Sequence, residues 1–124
     1  MEVAFPAISP DGTRVAFANT RGDIRVVSMD GTSSQTIVEK HAFAANWSPD
    51  GNRLVITAWN PNRAGRNDSN KIQIFDFHTG RLSVVPSSEG IGGGVWPTGK
   101  TLIASRQDTG RLLVFDFGKH KSWS

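Results

Sequence analysis

The sequence predicts an all-β fold on two observations: a turn signal that returns at long intervals, and short apolar segments of strand character between its copies. The tetrapeptide Ser9-Pro10-Asp11-Gly12 recurs as Ser48-Pro49-Asp50-Gly51. It returns in altered form as Trp96-Pro97-Thr98-Gly99, so that the closing glycines stand 39 and then 48 residues apart. That period matches one four-stranded unit of a radial repeat, a propeller blade. Three copies predict three four-stranded antiparallel blades, at about 3–38, 42–85 and 92–124, in one repeat domain spanning 1–124. No segment carries the 3.6-residue apolar period of a helix.

The second unit shows the order of elements most clearly. Residues 43–47 are short and apolar. Ser48-Pro49-Asp50-Gly51 then combines a preset φ, a carboxylate that bonds its own backbone and a residue that accepts positive φ, which is hairpin-turn chemistry. Residues 53–58 are rich in β-branched side chains, and 71–77 alternate polar with apolar positions as a half-buried strand requires. His78-Thr79-Gly80 makes the next tight connection, and 81–85 form an outer strand ended by Pro86. The first unit repeats this order at 4–8, 14–18, 23–29 and 35–38, and the third at 94–96, 101–105, 111–117 and 122–124. Third-strand positions align as Ile24, Ile72 and Leu112, and as Val26, Ile74 and Val114.

A lone blade of this kind has two apolar faces and cannot be stable in water, so radial stacking of the sheets is the expected solution. Phe17, Val26, Trp47, Val55, Ile74, Trp96, Ile103 and Val114 are the residues expected to fill the spaces between blades. The altered turn at Trp96 lacks one residue of the pattern and carries Thr98 for Asp, which predicts a tighter or distorted first hairpin in the third blade.

Composition narrows the function classes. A 37% apolar content with 20% charged residues is that of a folded chain. With no cysteine there is neither a disulfide framework nor a thiolate metal site. The net charge of +3 is spread without a basic run, which argues against nucleic acid. The first residues lack the pattern of a signal peptide and no apolar stretch reaches membrane-spanning length, so a soluble chain without membrane insertion is expected.

Candidate chemistry is sparse. Asp11 and Asp50 hold equivalent places and read as turn residues rather than catalytic carboxylates. His41, His78 and His120 sit in different connections without ligand spacing, and no serine lies in a Gly-x-Ser-x-Gly elbow. Gly90-Ile91-Gly92-Gly93-Gly94 has neither the lysine nor the following helix of a phosphate loop and reads as a flexible link between blades. No catalytic residue, metal or cofactor is expected. An insertion at 60–69 has no counterpart in the first unit, and insertions in repeat arrays collect on the binding face. Trp59, Arg63, Arg66, Asn67 and Asp68, with His41 and Arg106 from connections on the same face, are the candidate binding residues for a protein or peptide.

The unit Ala-x-x-Ser-Pro-Asp-Gly followed by an apolar run, a polar loop and a strand such as Ile74-Phe75-Asp76-Phe77 resembles the WD40-like (PD40) repeat of the TolB and prolyl-oligopeptidase type of β-propeller. Residues 7–17 and 46–54 match it most closely, and the resemblance covers the whole chain. It implies a non-enzymatic interaction module in a bacterial periplasm or cytoplasm. The peptidases of this type place their nucleophile in a separate domain. Two other readings stand beside it: the propeller portion of a larger hydrolase or regulator, and a self-assembling building block without ligand. Because known propellers close with at least about four blades, three predict a homodimer that completes a six-bladed ring.

Overall fold

The computed structural model describes residues 4–63, 69–118 and 123–124. These form three antiparallel sheets in which spatial neighbours follow chain order. The first blade holds β1 (Ala4–Ile8), β2 (Arg14–Ala18), β3 (Ile24–Ser28) and β4 (Ser34–Val38). The second holds β5 (Ala42–Trp47), β6 (Arg53–Trp59), β7 (Asn70–Asp76) and β8 (Arg81–Val84). The third holds β9 (Ile91–Thr98), β10 (Thr101–Arg106) and β11 (Leu112–Asp116). Of its predicted fourth strand, the described part is Trp123, bridged to Phe115, and Ser124, which exchanges two backbone bonds of 2.9 Å with Val114. Among the described residues the one helical element is a 3₁₀ turn, Pro61–Arg63, and no helix is long and apolar enough to cross a membrane.

The recurring tetrapeptide closes its hairpin by the chemistry its residues carry. Ser48 Oγ donates to Asp50 Oδ1 at 2.7 Å and accepts from the Arg53 amide at 3.0 Å, while Gly51, at φ 75°, donates its amide to the Ser48 carbonyl. Ser9, Asp11, Gly12 and Arg14 repeat this arrangement. The Ser9 and Thr13 hydroxyls and the Thr13 amide all bond Asp11, pulling its carboxyl down to about 2. Asp11 and Asp50 are turn residues. In the third blade the missing residue leaves a two-residue link, Gly99-Lys100, between Thr98 and Thr101, with irregular pairing on either side of Ile103.

Two apolar cores join the blades. Ala16, Ala18, Ile24 and Val26 of the first blade pack on Trp47, Leu54, Ile56 and Phe75 of the second. Val55, Ile72 and Ile74 then pack on Trp96, Leu102, Ala104 and Phe115 of the third. Five of the eight expected inter-blade residues are therefore buried. Phe17, Ile103 and Val114 are not, because they lie on the two end faces of the array: Phe17 and Ile103 are half-buried, and Val114 is 38% exposed. Leu112, aligned with the fully buried Ile24 and Ile72, is 71% exposed for the same reason.

The glycine run is corrected by the structure. Residues 91–94 are not a flexible link but the start of β9, and Ile91 is buried. A Cβ on Gly94 would stand 2.8 Å from Val55 Cγ2, and one on Gly92 would stand 2.9 Å from Thr57 Cγ2. Glycine is there because two strands of neighbouring blades approach closely.

Each internal junction is also closed by a cation over aromatic rings. Arg14 reaches across to the second blade, donates from Nη2 to the Gly51 carbonyl at 2.8 Å, and lies 4.5 Å from the Trp47 ring and 4.8 Å from Phe77. Arg53 does the same to the third blade, bonding the Gly99 carbonyl at 2.6 Å and lying over Trp96 at 4.8 Å and Phe117 at 5.7 Å. In both cases tryptophan and phenylalanine stack on each other nearly parallel.

Candidate binding site

The links between blades and the second-to-third-strand connections meet on one side of the array through backbone bonds. The Ala42 amide donates to Gly22, Trp59 to His41, Gly90 to Asn70 and Gln107 to Gly90, at 2.6–2.9 Å. His41 and Gly90 thus occupy equivalent places, each just before an innermost strand, each accepting the amide of the connection beside it. Gly90 takes φ 79° there; His41 takes φ 67°, and Lys40 before it φ 65°. Two consecutive side-chain-bearing residues in the left-handed region cost conformational energy that the glycine of the next blade avoids. Such strain is held where the surrounding structure fixes it, and it marks candidate functional positions.

Asp23 does the fixing here. Buried at 6% exposure, it accepts the Lys40 amide at 2.9 Å and the Asn19 side chain at 3.2 Å, and these bonds hold its carboxyl below the ordinary range. Held this way, the His41 ring meets Trp59 edge to face at 4.9 Å. Beside the pair opens a cleft of about 350 Å³ between the first and second blades, lined by Lys40, His41, Trp59, Pro61, Lys71 and Gln73 among others. Its volume is within the range of small-ligand and side-chain pockets. Glu39 also lines it, so the cleft carries two ammonium groups and an imidazole against one carboxylate.

A larger cleft of about 550 Å³ lies elsewhere, between β8 and Phe117. Two of its three charged groups have structural bonds: Arg53 is held in the junction to the third blade, and Asp76 accepts from the His78 and Thr79 amides and the Asn52 side chain, while the third is the exposed Arg81. In the smaller cleft neither lysine side chain has a hydrogen bond or ion pair among the described residues, and the strained backbone and ring pair stand beside them.

Of the residues expected from sequence, the structure brings His41 and Trp59 together. Arg63 ends the 3₁₀ turn that starts at Pro61, while Arg66, Asn67 and Asp68 lie outside the described residues. Arg106 is outside the cleft, its guanidinium paired through Nε and Nη2 with Asp108 at 3.0 and 3.1 Å. Sequence reasoning missed Lys40, Lys71 and Gln73. The signal for Lys71 and Gln73 was the polar side of the β7 alternation; for Lys40 it was only the alignment of 40–41 with 89–90. Among the described residues no group of three or more histidines and carboxylates is placed to hold a metal.

No protein-family model matches the chain, and no curated protein matches it. Solved structures do. TolB from Acinetobacter baumannii superposes with a TM-score of 0.80 at 23% identity, over 99% of this chain and 31% of that one. The β-propeller domain of the Trilobed protease from Pyrococcus furiosus gives 0.63 at 22% identity, over 94% and 41% of the two chains. The acylaminoacyl peptidase of Pyrococcus horikoshii gives 0.67 at 17% identity, over 94% and 24%. The chain thus spans less than half the length of each of these proteins. With three blades in chain order, paired as the repeat demands and superposing on such structures along nearly the whole sequence, it has a TolB-like β-propeller fold.

Proposed function

We propose that the chain is a propeller module without catalytic chemistry of its own, and that it holds a protein or peptide segment on the side of the array where 39–42 meet Trp59. The observation that carries this reading is the strained pair Lys40-His41 beside Trp59 at the mouth of a cleft. A histidine is kept in a backbone slot that glycine fills in the next blade, so its side chain rather than its backbone is what the position serves. An aromatic wall with three nearby cationic or protonatable groups suits an acidic or carboxylate-bearing segment. In this reading the ring that presents the site is completed by a second copy of the chain.

The test exploits the slot itself. His41→Gly relieves the left-handed strain while losing the ring contact, two effects of about 1 kcal/mol each and opposite sign, so stability stays within about 1 kcal/mol of the parent. Binding of a hexaglutamate peptide, followed by calorimetry, is expected to weaken at least tenfold in this variant and in Lys71→Ala. Unchanged affinity in both would remove the cleft from the function.

A second reading has an observation of its own: two of the similar structures are a protease's propeller domain and a peptidase, each much longer than this chain. There the three blades would be part of a propeller attached to a hydrolase, and the gene sequence flanking the chain distinguishes this case.

A further inference from the structure

The two end faces of the array lack the same thing from opposite sides. Each blade has a leading face, toward the blade before it, and a trailing face, toward the blade after. Strand register fixes the equivalences: Arg14, Arg53 and Thr101 pair with Ser28, Asp76 and Asp116 in turn. The cation is therefore present on the trailing faces of the first and second blades and replaced by threonine on the third. The aromatic pair that receives it stands on the leading faces of the second and third blades, as Trp47 with Phe77 and Trp96 with Phe117. On the first blade Ile8 and Met29 occupy those places, as the Ile8–Val15 pairing and the Met29 amide bond to Thr13 show.

Cation and receiving rings are thus missing together, one from each of the two faces that have no blade against them, and the two halves would meet if the third blade lay against the first. Were these faces covered by unrelated surfaces, there would be no reason for both to have lost their own half. What is exposed there is largely apolar, with Arg25 the charged group of the first blade's face and Asp116 that of the third's. Ile8 is 61% and Met29 58% exposed on one face, with Val95 at 46%, Leu112 at 71% and Val114 at 38% on the other. Asn46, which donates to the Gly94 carbonyl at the second junction, is replaced on the third blade by Val95, so its trailing face also lacks that polar arm.

We infer that the trailing face of the third blade is covered by the leading face of the first blade of a second copy, in a largely apolar junction that lacks the arginine-over-rings contact of the internal ones. This rests on the ring-completion part of the proposed function. Two head-to-tail copies generate two equivalent junctions and close six blades, within the range of about four to eight that propellers use. A carboxylate placed at Ile8 or Leu112 would be buried among apolar side chains and destabilise the junction.

Complementation tests the pairing. Sedimentation of the parent at micromolar concentration is expected to give the mass of two chains, and Ile8→Asp and Leu112→Asp alone are each expected to give single chains with unchanged β circular dichroism. Mixing the two variants is expected to restore a two-chain species, because each keeps the face the other has lost. A parent that sediments as a folded single chain would overturn ring completion as a whole. A parent dimer in which Ile8→Asp has no effect, or in which the mixed variants fail to pair, would overturn this junction while leaving dimerisation standing. Should the aspartate variants fail to fold, Thr101→Arg combined with Ile8→Trp and Met29→Phe supplies the readout. These sites lie at opposite ends of one chain, so dimer dissociation is expected to show at least a tenfold departure from additivity only if they meet across copies. Additive effects would overturn the junction.

Discussion

The junction between the first and second blades and the junction between the second and third are assembled from equivalent parts, yet their backbones differ. Both have an arginine over stacked tryptophan and phenylalanine, bonded to a glycine carbonyl of the next hairpin. In the first junction Trp47 Nε1 donates to the Ala7 carbonyl at 2.8 Å. In the second, the buried Trp96 Nε1 finds no partner among the described residues, and Gly94 lies under Val55. The side-chain contact has survived the shortening of the third hairpin, and the backbone-dependent hydrogen bond has not. Long side chains adjust to a displaced strand by changing rotamer, whereas an indole N–H must meet a carbonyl at one distance and angle.

The largest way to break the comparison is at the close approach. Gly94→Val drives a branched side chain into Val55 and is expected to destabilise the chain by about 3 kcal/mol, the upper end of overpacking costs, measured by urea unfolding. Next comes the cation. Arg14→Ala and Arg53→Ala each lose a charged hydrogen bond and two ring contacts and are expected to cost about 2 kcal/mol, with Arg→Lys recovering only part. Equal losses would confirm that the two junctions share this element despite their different turns.

A smaller effect separates them. Trp47→Phe removes a hydrogen bond, whereas Trp96→Phe removes a buried donor without a partner, so the first is expected to be more destabilising by about 1 kcal/mol. A reversal of that order would mean that the two indoles are not bonded as described. The mildest test is acid. The Asp11 and Asp30 carboxyls, pulled down to about 2 from 3.8 by hydroxyl and amide donors, stabilise their turns in the ionised form. That contribution is complete above about pH 4 and is lost as pH falls through about 2. Carboxyl carbon shifts followed by NMR are expected to show midpoints near 2 for both residues, and the Thr98–Thr101 turn, which has no such carboxylate, should show no matching change.

Much of this was legible along the chain. The serine, aspartate and glycine of the first two turns bond one another within five residues, so their pattern carries its own meaning. The altered third hairpin was legible too, as a missing residue. Three things were not. The glycines at 92–94 read as a flexible link because glycine is depleted in strands, and only the structure explains them: Gly92 and Gly94 by the proximity of Thr57 and Val55, Gly93 by a φ of 71°. The strain at Lys40-His41 has no local signature, since nothing in those residues demands positive φ. Arg14 and Arg53 recur visibly, but the rings they meet lie in the following blade.

By itself, then, the sequence determined the period, the number of blades, the strand order and the turn chemistry, because each depends on residues a few positions apart and on the two-residue alternation of a strand. Tertiary structure alone decided which apolar strand residues are buried. Ile24, Ile72 and Leu112 are alike in sequence and strand position, and they differ only in whether another blade lies against them. It also decided that His41 and Trp59 form one wall of a cleft. Contacts between blades join residues tens of positions apart, and their geometry depends on how two twisted sheets settle against each other, which no local pattern encodes.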